Sequence, residues 1–166
     1  FEWRMGLGAI ISLVHDVFFM VAIFSLLRME VDITFVAAVL TIVGYSINDT
    51  IVTFDRIREN VDRSGVISTK EDLANIVNKS LRQTMARSIN TVLTVIVVVV
   101  ALVFLGAPSI QGFSIALLIG LVTGMYSSIC IAVQVWYSLK SSQMKKSGGQ
   151  VVKKEKKQWG SDEPVV

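Results

Sequence analysis

Long uncharged apolar runs alternate with short polar breaks along this chain, and that pattern predicts four membrane-spanning helices. The first run extends from about Met5 to Leu27 and stops at the polar turn Arg28-Met29-Glu30-Val31-Asp32. The second extends from Ile33 to Thr53. A charged segment, 55–87, separates it from the third, Ser88 to Leu105, which ends at Gly106-Ala107-Pro108. The last covers Phe113 to Leu139. Val95 to Val100 is a β-branched run that reads as a strand in water. The apolar stretch around it is too long for a strand, and in lipid a helix satisfies its own backbone groups. The expected class is all-α, a polytopic transmembrane bundle.

Composition agrees. Of the 166 residues, 52% are hydrophobic and 17% charged, against roughly a quarter charged in a soluble domain. The mean hydropathy is +0.61. The chain begins at Phe1 and carries no secretory signal, so it is read as the C-terminal portion of a longer protein.

Charge placement predicts orientation. Arg4, Arg56, Arg58, Arg63, Lys70, Lys79, Arg82, Arg87 and the lysines of the tail fall on one side, and Arg28 alone on the other. The positive-inside rule puts both chain ends and segment 55–87 in the cytoplasm. Within that segment Ser68 and Glu71 fit a capping box. Leu73, Ile76, Val77, Leu81 and Met85 then recur at helical spacing, as in an interfacial amphipathic helix feeding the third span. Asp55 and Glu59 are placed to pair with Arg58 or Arg63. The tail, 140–166, holds Lys145, Lys146, Lys153, Lys154, Lys156 and Lys157 around Gly148-Gly149. It reads as a disordered anchor near anionic lipid. No aromatic interleaving supports nucleic-acid binding.

Candidate chemistry lies in the charges inside spans, each costly to insert. Asp16 sits midway along the first span beside His15, with Ser12 a turn earlier. On the second span Thr41, Tyr45, Asn48, Asp49 and Thr53 form a polar stripe expected to face the bundle interior. Arg87 opens the third span, followed by Asn90, Thr91 and Thr94. Asp49 lies six positions before Asp55, about 9 Å further into the membrane, a depth the Arg87 side chain can reach. Such a pair is either a proton relay, because a nearby arginine favours the ionised carboxylate, or a static ion pair that fixes packing. Ala116, Gly120, Gly124 and Ser128 recur every four residues, the spacing that lets helix backbones approach closely. Cys130 is the only cysteine and His15 the only histidine, so neither a disulfide within the chain nor a metal centre is expected. No cofactor is expected either, and no nucleophile–base set or phosphate loop points to an enzyme.

The stretch Gly44-Tyr45-Ser46-Ile47-Asn48-Asp49-Thr50-Ile51-Val52-Thr53-Phe54-Asp55-Arg56-Ile57-Arg58-Glu59-Asn60 resembles the SecF family of bacterial protein-export membrane proteins. Phe1-Glu2-Trp3-Arg4, Val14-His15-Asp16-Val17 and Arg87-Ser88-Ile89-Asn90-Thr91 with Thr94 agree with it. The related SecD family typically has Asp-Ala-Asn where this chain has Asn48-Asp49-Thr50. The resemblance extends to about Leu139, and segment 55–87 is slightly longer than in some relatives. It implies a six-span subunit of the resistance-nodulation-division superfamily, of which these are spans three to six. It also implies SecD, the SecYEG channel and an exported preprotein as partners, a bacterial plasma-membrane location, and use of the proton-motive force. Asp49 matches the family's intramembrane aspartate and Arg87 its partner arginine. Sodium coupling, a drug or lipid exporter of the same superfamily, and a non-transporting scaffold stay open as alternatives.

Overall fold

The computed structural model describes residues 2–65, 67 and 69–146, with side chains to 143. Helix α1 spans Trp3–Leu26, α2 Ile33–Arg63, α3 Lys70–Leu105 and α4 Pro108–Ser127. A π-helical turn, Ser128–Ala132, joins α4 to α5, Val133–Lys146. Among the described residues, four helical runs are long and apolar enough to cross a membrane, the last being the continuous stretch Pro108–Gln143. The helices pack antiparallel, and the described chain ends share one end of the bundle with segment 55–87, where Lys140 Nζ bonds Glu2 Oε1 at 2.9 Å. Burial alone would raise the Glu2 carboxyl, but the Lys140 ammonium outweighs it and holds the group below its usual value of 4.5. The nearby Trp136 N–H acts in the same direction although it closes no hydrogen bond.

Local chemistry sets the helix ends. After α1 the chain reverses through Arg28 at φ 53°, while Met29 N–H bonds Phe24 O and Arg28 N–H bonds Ser25 O. These are the paired bonds of a Schellman end, with arginine where glycine is usual. Asp32 caps α2, accepting from Phe35 N–H and from the Thr34 hydroxyl. Those donors hold its carboxyl below the ordinary 3.8. The capping box of α3 falls one residue later than the sequence indicates. Thr69 Oγ1 accepts from Asp72 N–H, and Asp72 Oδ2 accepts from Thr69 N–H. Both registers satisfy the capping pattern, and Ser68 lies outside the described residues. Pro108 opens α4, where a missing N–H costs nothing.

Helix bounds depart from the expected spans at the charged end. α2 runs ten residues past Thr53, and α3 starts eighteen before Ser88. The apolar positions Leu73, Ile76 and Val77 belong to that same continuous helix and are covered by protein. They pack against Phe54, Ile57 and Trp136 rather than lying open to an interface, and Met85 is exposed. α5 carries the expected tail's first residues, to Lys146, as helix; 147–166 lie outside the described residues. On α2, Glu59 bonds Arg56 and Arg63. Arg56 thus takes the place expected for Arg58, and such exposed pairs add roughly 0–1 kcal/mol.

Packing divides the bundle into three layers. One apolar cluster at the charged end contains Met5, Ala9, Phe54, Ile57, Leu73, Val133 and Trp136. A second, at the other end, contains Met20, Phe24, Phe35, Ile42, Val92 and Leu121. Between them α1, α2 and α4 turn polar, through Ser12 and Asp16, Ser46 to Thr53, and Thr123 to Ser128, and α3 joins them at Ser88, which bonds Asp49.

Candidate functional site

The polar layer is held together across helices by close backbone approach. A Cβ on Gly120 would fall 2.4 Å from Ile42 Cγ1, so α4 meets α2 where only glycine fits. Gly124 faces Ser46 with ordinary van der Waals space, 3.4 Å to its Cβ. On the other side of the layer a Cβ on Gly8 would come 2.8 Å from the Ala132 carbonyl oxygen. The small-residue stripe Ala116, Gly120, Gly124 and Ser128 is therefore buried. At Gly120, Gly124 and Ser128 it meets α2.

Asp49 sits at the α2–α3 contact. Ser88 Oγ donates to Asp49 Oδ1 at 2.5 Å, while Asp49 Oδ2 is buried with no hydrogen-bond partner. A buried carboxylate oxygen without a donor is a costly arrangement, and the layer around it is rich in hydroxyls.

Arg87, the neighbour of Ser88, does not pair with Asp49. Its side chain is exposed and lines a cleft of about 260 Å³ together with Val52, Asp55, Arg56, Glu59, Gln83 and Thr84. Among the described residues it forms no ion pair, and neither does Asp55. α2 and α3 are clamped beside this cleft by Arg56 Nε to Gln83 Oε1 at 2.8 Å, Asn60 Nδ2 to Gln83 Oε1 at 2.9 Å, and Asn60 Nδ2 to Ser80 Oγ at 2.8 Å.

The polar stripe of α2 is split between two faces. Thr41, Tyr45 and Asn48 are exposed on the outside of this chain, and so are Asn90, Thr91 and Thr94 of α3. Thr53 alone of the expected stripe is fully buried, with Asp49 half-buried beside it. The inward polar residues are Ser46 and Thr50, which the sequence reading did not single out. They share a helical face with Ile42, and their four-residue spacing opposite the small-residue stripe of α4 was the available signal.

Asp16 and His15 do come together. His15 Nδ1 lies 3.3 Å from Asp16 Oδ1, and Ser46 Oγ donates to Asp16 Oδ2 at 2.7 Å. Asp16 is 1% exposed. Ser12 is buried too but spends its hydroxyl on Ala9 O. Among the described residues no group of three or more His, Cys, Asp or Glu is placed to hold a metal.

Residues 1–142 match the model of the family described as protein export membrane protein SecD/SecF, C-terminal. The chain is 58% identical over 150 residues to protein translocase subunit SecDF of Bacillus subtilis, covering 90% of this chain and 20% of that protein. It is 57% identical over 149 residues to protein translocase subunit SecF of Alicyclobacillus acidocaldarius, covering 89% of this chain and 47% of that one. The chain thus spans half or less of the length of these relatives. A crystal structure of SecDF in its super-membrane-facing form superposes with a TM-score of 0.81 at 38% identity, over 89% of this chain and 20% of that one. The SecDF of Thermus thermophilus superposes with a TM-score of 0.76 at 40% identity, over 84% and 19%.

Proposed function

From the premise that this chain belongs to the SecD/SecF C-terminal family of protein-export membrane proteins, we propose that it is the ion-coupling half of a SecF-type export subunit. In this reading the full-length parent, a multi-pass protein of the bacterial inner membrane, uses the proton-motive force to promote preprotein movement through the Sec channel. It works through an ion gradient rather than as an enzyme. Both ends of the chain and the extended ends of α2 and α3 lie in the cytoplasm, as the lysine and arginine distribution favours.

One observation carries the reading. Asp49, inside a membrane-spanning helix, is held by a single hydroxyl, and its second oxygen is buried and free. That oxygen is available to a proton. Arg87 is one residue from the Ser88 that bonds Asp49, at the rim of a charged cleft. The proton cycle then follows from two positions of Arg87. Turned into the cleft, it leaves Asp49 to take a proton. Turned inward, it favours the ionised carboxylate and expels the proton. Asn48 sits beside Asp49 on the exposed face and is read as a polar lining of the path.

The exposed polar face supports a partner. Thr41, Tyr45 and Asn48 of α2, with Asn90, Thr91 and Thr94 of α3, are polar groups at membrane depth that the described chain does not cover. The relatives named SecDF place SecD and SecF in one protein, so SecD is the partner proposed for this face.

Export of a secreted reporter tests the reading in cells carrying the full-length parent, with and without a protonophore. Stimulation over cells lacking the parent is expected only while the gradient stands. Stimulation that survives uncoupling would leave a scaffold role in its place.

A further inference from the structure

We propose that Asp16 is a second proton-binding carboxyl of the bundle, separate from Asp49, built into a hydroxyl chain that joins α1, α2 and the π-helical turn. The chain is continuous. Ser46 Oγ donates to Asp16 Oδ2 at 2.7 Å and lies 3.5 Å from Ser128 Oγ. Ser128 Oγ accepts from Thr50 Oγ1 at 3.0 Å and donates to the Ser46 carbonyl at 3.2 Å. Gly124 borders this chain, and a Cβ there would come 3.8 Å from Asp16 Oδ2, an ordinary contact. Every hydroxyl in the chain is buried.

Both protonation states of Asp16 fit this geometry without moving the backbone. With the carboxylate ionised, Ser46 donates to Oδ2 and a protonated His15 donates from Nδ1 to Oδ1. When that proton passes to Oδ1, the new O–H donates back to the neutral Nδ1, and Ser46 keeps its bond. A proton on Oδ2 is accommodated as well. The carboxyl then donates to Ser46 Oγ, whose hydrogen turns to Ser128 Oγ. No atom is lost and no donor is stranded, so the site exchanges a proton at little reorganisation.

His15 is the titratable neighbour on α1, about one-third exposed at its side chain. It stacks on Phe19 and lies 6.5 Å from the Tyr126 ring of α4. Ser46 and Thr50 are the groups of α2 in the chain, and Asp49, on another face of α2, is bonded to Ser88 of α3. Gly124 and Ser128 face the site from α4 and the π turn, and the turn's Cys130 is exposed. Among the described residues, no lysine or arginine pairs with Asp16. The π turn starts at Ser128, and single π-helical turns recur where a helix must aim a functional group.

The inference stands independently of the role proposed for Asp49, and one experiment separates them. Infrared difference spectra between low and high pH are recorded on the full-length parent in membranes. A protonated-carboxyl band lost in Asp16→Asn and retained in Asp49→Asn is the expected result. Ser46→Ala keeps the carboxyl but removes its donor, so the same band shifts in that variant, which carries the test if Asp16→Asn does not accumulate. Spectra of Asp16→Asn and Ser46→Ala that match the wild type would overturn the proposal and leave Asp16 as a packing group with one fixed state.

Discussion

Asp49→Asn in the full-length parent abolishes gradient-driven stimulation of export at matched protein levels. The substitution keeps the volume, and Asn Oδ1 still accepts from Ser88, whose bond to Asp49 is 2.5 Å. The α2–α3 contact is therefore kept, while the group proposed to bind and release a proton is gone. Stimulation falls to that of cells lacking the protein. Ser88→Ala is the milder counterpart. It removes one hydrogen bond, a loss of about 0.5–1.5 kcal/mol, but leaves the carboxyl in place, so export is weakened and still responds to uncoupling. A reporter assay at matched accumulation distinguishes the two. Equal export in wild type and Asp49→Asn would reduce Asp49 and its serine to a packing contact.

Gly120→Ala overpacks the α2–α4 contact. Its Cβ would lie 2.4 Å from Ile42 Cγ1 and 3.0 Å from both Cδ1 and Cγ2. Ile42 is 1% exposed and packed within the apolar cluster that contains Phe35, Ala38 and Ala116. Its side chain must give way to the new methyl, so overpacking of about 1–3 kcal/mol is expected. Ile42→Ala alone creates a cavity costing about 2–5 kcal/mol. In the double variant the new methyl occupies part of that cavity. The combined loss then falls short of the sum of the singles by about 0.5–3 kcal/mol. Unfolding of the parent in detergent measures this cycle. Strict additivity would show that the α2–α4 contact at Gly120 is looser than its geometry states. Gly124→Ala, which meets Ser46 Cβ at 3.4 Å, serves as the tolerated control.

Much of the architecture was legible because lipid imposes a simple rule. Long uncharged runs must be helices, and the placement of Arg28 against the other cations pairs them into hairpins. What the periodicity could not decide was which polar face of α2 looks inward. A hydroxyl on a membrane helix does not need the interior, because it can bond its own backbone. Thr41 Oγ1 donates to Ala37 O, Thr91 Oγ1 to Arg87 O and Thr94 Oγ1 to Asn90 O, each at 2.8 Å. Those threonines are exposed, whereas Ser46 and Thr50 spend their hydroxyls on α1 and the π turn. The π turn itself has no sequence mark. Ser128-Ile129-Cys130-Ile131-Ala132 contains neither proline nor glycine, and its position is tied to Gly8 of α1, distant in sequence. The Asp49–Arg87 pairing was inferred from depth alone. Depth places both near the same level of the membrane, but the Arg87 side chain lines the charged cleft with Asp55 and Glu59, which sequence spacing does not describe.

Asp49 is proposed to carry a proton through the working cycle. The most direct measurement is proton movement in liposomes containing the purified full-length parent, read by an internal pH-sensitive dye under an imposed gradient. Protein-dependent proton movement in wild type that disappears in Asp49→Asn is the predicted result. Equal proton movement in both, or a response to sodium with none to pH, would contradict it.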